Sequence, residues 1–263
     1  MERPEGALAV LLGISQLVYL VAMATLGVRL LLRARRTREL PEGLLSLHFL
    51  LCCSLGYLLL VVAFSAAQAP GSLPVALVAW LVALGHLVSA VGVWAAAAFN
   101  QQVFRRGVAW ARGLLALAAL TMAAGYVGYG LAGGFAHARM EGAWHWLLYG
   151  TYVGVAAWVA AEPLHYWGAM RRRARLGLAD PLESNRFLLW GAGSVCRFAM
   201  LILGALPSLV FGSLPGQLSP VVLSATLICV ALAGLGVAVA YWLTFFPSPA
   251  FARLVTRSGS PSR

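Results

Sequence analysis

The sequence predicts an all-α integral membrane protein: a seven-transmembrane-helix bundle with its N-terminus outside and its C-terminus in the cytoplasm. Three observations predict it. Hydrophobic residues make up 61% of the 263 residues and charged residues only 10%, whereas a soluble domain is about half apolar and a quarter charged. Seven apolar stretches each reach the roughly 20 residues a helix needs to cross about 30 Å of hydrocarbon. Arginines crowd into alternate connections between those stretches, the asymmetry that sets orientation. Backbone groups find no water in lipid, so the stretches must be helical.

The first span covers residues 7–32. It is too long for a cleavable signal peptide, and its positive cluster follows it instead of preceding it. The second, residues 44–67, starts behind Pro41 and holds His48, Cys52 and Cys53. The third, residues 75–99, starts behind Pro74. His86 lies near its middle, with Ala79, Ala83, Ser89 and Ala90 on the same face, and Asn100-Gln101-Gln102 closes it. The fourth covers residues 113–133. The fifth, residues 144–168, opens on an aromatic belt of Trp144, Trp146 and Tyr149 and carries Glu162, Pro163 and His165.

Asp180-Pro181-Leu182-Glu183 supplies an N-cap, a proline at the first helical position and a Glu two residues on, a capping box for the sixth span, residues 187–211. Ser219-Pro220 opens the seventh, residues 221–246, in the same way. Residues 247–263 form a short basic cytoplasmic tail, expected to be disordered. Residues 1–246 then form a single transmembrane domain with no fused soluble output domain. Short connections make neighbouring helices antiparallel. No internal repeat is visible, which argues against a repeat-built transporter.

Orientation follows from counting arginines. Arg29, Arg33, Arg35, Arg36, Arg38, Arg105, Arg106, Arg112, Arg171, Arg172, Arg173, Arg175, Arg186, Arg253, Arg257 and Arg263 fall on one side; Arg3 and Arg139 fall on the other. The rich side is cytoplasmic. The net charge of +11 therefore points to anionic lipid headgroups and not to nucleic acid. Every basic residue is arginine, so no lysine Schiff base can form. An Ala- and Arg-rich chain without lysine fits a GC-rich genome, and a bacterial inner membrane is the expected location. Cys52, Cys53, Cys196 and Cys229 sit inside apolar stretches without zinc spacing and read as small core hydrophobes.

The residues that could carry chemistry are few. Arg197 lies roughly 16 Å into the sixth span at about 1.5 Å per residue. A charge at that depth costs on the order of 2.5–3.5 kcal/mol unless paired or wet. Glu162, roughly 13 Å from its cytoplasmic end by the same rise, is the natural counter-charge. A buried pair Glu162–Arg197 is expected, acting either as a clamp between the fifth and sixth spans or as a switch. Gly193, Ser194 and Gly204 share the Arg197 face, which should turn inward.

His86, His165, Ser194 and His48 are candidates for a polar cavity. No cofactor is predicted. His48 and His165, at similar depth on two spans, could hold a b-type haem only if those spans face each other. Glu162-Pro163-Leu164-His165 matches one half of a di-iron motif, but the further carboxylates are missing, so no metal site is expected. Pro163 should kink its helix and free the Val159 carbonyl. The run Arg171, Arg172, Arg173, Arg175 is a contact for lipid headgroups or for a cytoplasmic protein.

Rhodopsins and G-protein-coupled receptors share the seven-span plan, but the retinal lysine is absent and Asn100-Gln101-Gln102 stands where such receptors carry an acid-Arg-Tyr triplet. No family follows from this likeness. Among functions, a small membrane sensor or signalling partner coupled to a separate cytoplasmic or membrane protein ranks first. A carrier or channel for a small solute ranks second, and a redox protein using haem or quinone third. An enzyme is the less favoured class, because no catalytic motif is present.

Overall fold

Helix starts follow the cap chemistry of the sequence. The computed structural model describes residues 4–68, 71, 73–138, 140–211 and 219–258, and no β-strand occurs among them. The helices are α1 (Pro4–Thr37), α2 (Leu40–Leu47), α3 (Tyr57–Gln68), α4 (Val75–Phe104), α5 (Ala109–Leu131), α6 (Gly134–His137), α7 (Ala143–Arg175), α8 (Pro181–Phe211), α9 (Pro220–Phe245) and α10 (Pro249–Ser258). Pro41 lies in the first turn of α2 and Pro74 is the N-cap of α4. Asp180 Oδ1 accepts the Leu182 N–H at 2.8 Å, and Ser219 Oγ accepts the Val222 N–H at 3.4 Å. Each satisfies one of the donors that a helix start leaves open.

Among the described residues, six helical stretches are long and apolar enough to cross a membrane: Val10–Thr37, Leu40–Ala67, Val75–Phe104, Ala109–Leu131, Leu182–Val210 and Val221–Phe245. The expected fifth span lies in α7, which is 33 residues long. His145, Tyr149, Tyr152, Glu162 and His165 dilute its apolar character, and it falls short of the other six. The outward faces are apolar: Trp80 is 75% exposed, and Leu120, Leu131 and Val221 are also exposed. Water would not tolerate such a surface on a monomer. These are the helices of a membrane-embedded, multi-pass protein. The two outer arginines of the orientation count, Arg3 and Arg139, and the tail residue Arg263 lie outside the described residues.

Two local features depart from the sequence expectation. The second span is not a plain α-helix. A π-helical segment of nine residues, His48–Gly56, joins α2 to α3. Ser54 Oγ donates to the Phe49 carbonyl at 2.9 Å, a bond across five residues that matches the wider turn. The chain beyond α9 also differs from the disorder expected of it, because 249–258 is helical. Ser248 Oγ caps α10 by accepting the Phe251 N–H at 3.2 Å. Phe251 and Val255, four residues apart and so on one face, are half-buried, while Arg253 is exposed.

The chain falls into two compact units: Met1–Ala22 with Ala156–Arg263, and Met23–Val155. In the first, α8 and α9 pack closely. A Cβ at Gly193 would lie 2.9 Å from the Tyr241 ring, and one at Gly236 would lie 2.9 Å from Cys196 Sγ. Such close approach between spans is typical of small residues. In the second unit, α4 is the central element. Gly92 of α4 meets the backbone of Cys52 in the π segment, and Ala63, Val78, Val82 and Tyr129 form a buried apolar cluster.

Candidate functional site

The polar residues inside the spans fall into three groups, and they differ in how well the protein satisfies them. The first is the π segment. His48 Nδ1 lies 2.9 Å from the Gly92 carbonyl and its Nε2 lies 3.5 Å from Cys53 Sγ. A carbonyl can only accept, so the proton sits on Nδ1, leaving Nε2 to accept from the thiol. The wider π turn brings His48 and Cys53, five residues apart, onto one face.

The second group is in the unit containing α8 and α9. Glu162 is 6% exposed and Arg197 8%. Trp158 Nε1 donates to Glu162 Oε1 at 3.1 Å, one turn earlier on α7. Ser194 Oγ and Tyr241 Oη lie 2.9 Å apart, joining α8 to α9. Gly193 and Ser194 are buried as expected, but Gly204 is exposed. Pro163 is fully buried inside α7. Gly191 sits so close to Leu164 that a Cβ there would collide with the leucine side chain. His165 is exposed, as are Arg171, Arg172 and Arg173. Arg171 lies over the Trp167 ring at 5.4 Å, a cation–π contact. Arg175 ends α7.

The third group is in the other unit and contains a residue that sequence reading missed. His86 of α4 and His145 of α7 are each 3% exposed. Their ring centroids are 6.3 Å apart at 75°. Tyr129 of α5 stands edge-on to His86 at 5.6 Å and tilted to His145 at 5.5 Å. Tyr149 stacks on His145 at 5.7 Å, and Trp146 meets it edge-on at 5.2 Å. Tyr152 Oη donates to the His86 carbonyl at 3.0 Å, tying α7 to α4. Above Tyr129, the α6 turn lies flat because Gly134 has no side chain to strike the ring. Phe135 caps Tyr129 at 5.3 Å.

Within this aromatic enclosure, His86 Nδ1, His86 Nε2 and His145 Nδ1 are buried and make no hydrogen bond to the protein. An unsatisfied buried polar atom costs about 1–3 kcal/mol, and native cores hold few of them. Three on two neighbouring rings make this the candidate site. His145 stands between Trp144 and Trp146 of the aromatic belt and carries no sequence signal of its own. Only the packing of α7 against α4 and α5 shows it turned inward.

Among the described residues, no group of three or more His, Cys, Asp or Glu is placed to hold a metal ion. No protein-family model, curated protein or solved structure matches this chain.

Proposed function

We propose that this protein is a seven-span membrane sensor, N-terminus outside and C-terminus cytoplasmic, whose ligand site is the His86–His145 pair. The observation that carries the reading is the set of three buried imidazole nitrogens without protein partners. A ligand that hydrogen-bonds to one nitrogen of each ring stabilises the arrangement of α4, α5 and α7 that it contacts, and a population shift follows from that differential affinity. α7 provides the output. It is one helix from Ala143 to Arg175, with His145 near one end and the exposed Arg171, Arg172 and Arg173 near the other.

α7 is taken as the fifth span, and the arginine asymmetry of the sequence then sets the orientation. A Glu162–Arg197 ion pair braces the lower part of α7. Its support is register. Gly191 of α8 touches Leu164 of α7, and the two helices are consecutive and antiparallel. Arg197 then lies about 6 Å beyond Glu162 along the axis. Side chains lean toward their own helix N-terminus, so the two lean toward each other across that gap.

The test uses the full-length protein purified from native membranes in mild detergent. A stoichiometric cytoplasmic or membrane partner should copurify and be lost when Arg171, Arg172, Arg173 and Arg175 are changed to Gln. A clean preparation without a partner, together with solute flux in liposomes, would replace the sensor with a carrier. Single cysteines settle orientation: Leu178→Cys should react with an impermeant maleimide only from the cytoplasmic side, and Glu141→Cys only from outside.

A further inference from the structure

We infer that the His86–His145 pair binds the carbonyl oxygen of a neutral, planar, lipid-soluble molecule, the chemistry that a quinone presents. This rests on the reading of the pair as the ligand site and adds the class of ligand.

Four observations lead there. The first is spacing. A neutral imidazole carries one N–H donor. An oxygen atom accepting from one nitrogen of each ring, at roughly 2.9 Å per bond and a near-tetrahedral angle, places the ring centroids about 6.6 Å apart. The observed separation is 6.3 Å. The second is charge. A divalent ion held by two neutral imidazoles would lack the four-ligand set of a structural zinc site, and no third acidic, thiol or imidazole group joins the pair among the described residues. An ion there would keep its charge in a low-dielectric setting, which is costly.

The third is shape. The enclosure is built of flat rings: Tyr129, Trp146 and Tyr149 around His145, and Tyr129 against His86. These rings touch one another, so a ligand enters as they part, and a planar ring does so with little displacement by stacking at an offset or meeting them edge-on. The fourth is depth. His86 lies eleven residues into α4, about 16 Å from its start, while His145 is the third residue of α7, within the aromatic belt, the interfacial depth at which an apolar ring with a polar edge resides. Tyr152, whose hydroxyl holds the His86 carbonyl, is a positioning residue: it fixes α4 against α7 and thereby the spacing of the two rings.

The experiment measures binding of radiolabelled duroquinone (tetramethyl-1,4-benzoquinone) to the full-length protein in lipid nanodiscs, above the background of empty nanodiscs. Durene, the same methylated ring without carbonyls, is the control. Full ring substitution blocks addition to cysteine thiols. One saturable duroquinone site per chain is expected, with no saturable durene site. His86→Leu and His145→Phe should each weaken binding about tenfold, the value of one ordinary hydrogen bond. His145→Phe keeps the ring contacts, which separates lost recognition from lost folding. His86→Gln keeps an N–H donor and should retain most of the affinity.

Equal binding of durene would overturn the inference. So would unchanged affinity in both His86→Leu and His145→Phe, or stoichiometric zinc or copper binding at the pair that duroquinone does not displace. Duroquinone bound as expected, with no change in hydrogen exchange along α7, would sink the sensor reading and leave the site standing. Absence of duroquinone binding beside an intact arginine-dependent partner would do the reverse.

Discussion

Gly92→Ala is the sharpest test of how the second unit is held together. A Cβ at Gly92 would lie 2.6 Å from both Cβ and N of Cys52 and 3.1 Å from its Cα. Relaxed contacts between carbon atoms are about 3.5–4.0 Å, so α4 and the π segment must part by about 1 Å. Two of the three atoms belong to backbone and cannot rotate away. Overpacking of this kind costs about 1–3 kcal/mol. The same displacement stretches the His48–Gly92 contact of 2.9 Å past hydrogen-bond range, adding about 1 kcal/mol. The sum is about 2–4 kcal/mol, which for a chain of this length lowers the melting temperature by about 4–16 °C. A thiol-reactive fluorophore reads the transition directly. Cys52 and Cys53 are buried and become reactive when this packing opens, while exposed Cys229 sets the baseline. Gly150→Ala is the matched control: nothing lies within 4 Å of its Cβ position, and helix propensity favours alanine by up to about 1 kcal/mol. If Gly92→Ala melts no lower than Gly150→Ala, the close approach of α4 to the π segment is not what holds this unit.

Three further outcomes follow, the first from the proposed Glu162–Arg197 pair and the others from observed contacts. Glu162→Gln and Arg197→Met should each destabilise by about 3–5 kcal/mol, since either leaves a buried group uncompensated. The double variant should fall short of their sum by about 1–3 kcal/mol, and simple additivity in chemical unfolding would remove the ion pair. Ser194→Ala and Tyr241→Phe should each cost about 1 kcal/mol, and combining them should cost little more than one alone, because both delete the same bond; a doubled loss would mean that the hydroxyls act separately. Ser219→Ala should loosen the first turn of α9 by about 0.5–1 kcal/mol, visible as faster amide exchange at Val222 with the middle of α9 unchanged.

Much of the helical layout was legible because lipid leaves so few choices. Pro41, Pro74, Asp180 and Ser219 mark helix starts by local chemistry alone, and each lies at a start in the structure. Six of the seven expected spans coincide with helices of sufficient length and apolarity. The π segment left no signal: its sequence, HFLLCCSLG, is as apolar as the α-helix on either side, and its close approach to Gly92 is a tertiary contact. The candidate site was half legible. His86 stood out as a lone polar group at mid-span, but its partner His145 is fifty-nine residues away in a belt of aromatics. Only tertiary packing, through Tyr129 and Tyr152, joins the two. Glu162 and Arg197 declared themselves by the cost of burying charge, and both are buried.

The outward-facing apolar surface also has an optical consequence. Of nine tryptophans, Trp80, Trp94, Trp110, Trp144 and Trp242 are exposed on the helix faces. Much of the protein's intrinsic emission therefore originates in the lipid and not in the protein interior. Its spectrum will follow bilayer composition and dim with bromine-labelled acyl chains, even while the fold is undisturbed. Trp158, held by Glu162, is the emitter to isolate: replacing those five, together with Trp146, Trp167 and Trp190, by phenylalanine would leave a signal that reports on the surroundings of Glu162 in α7.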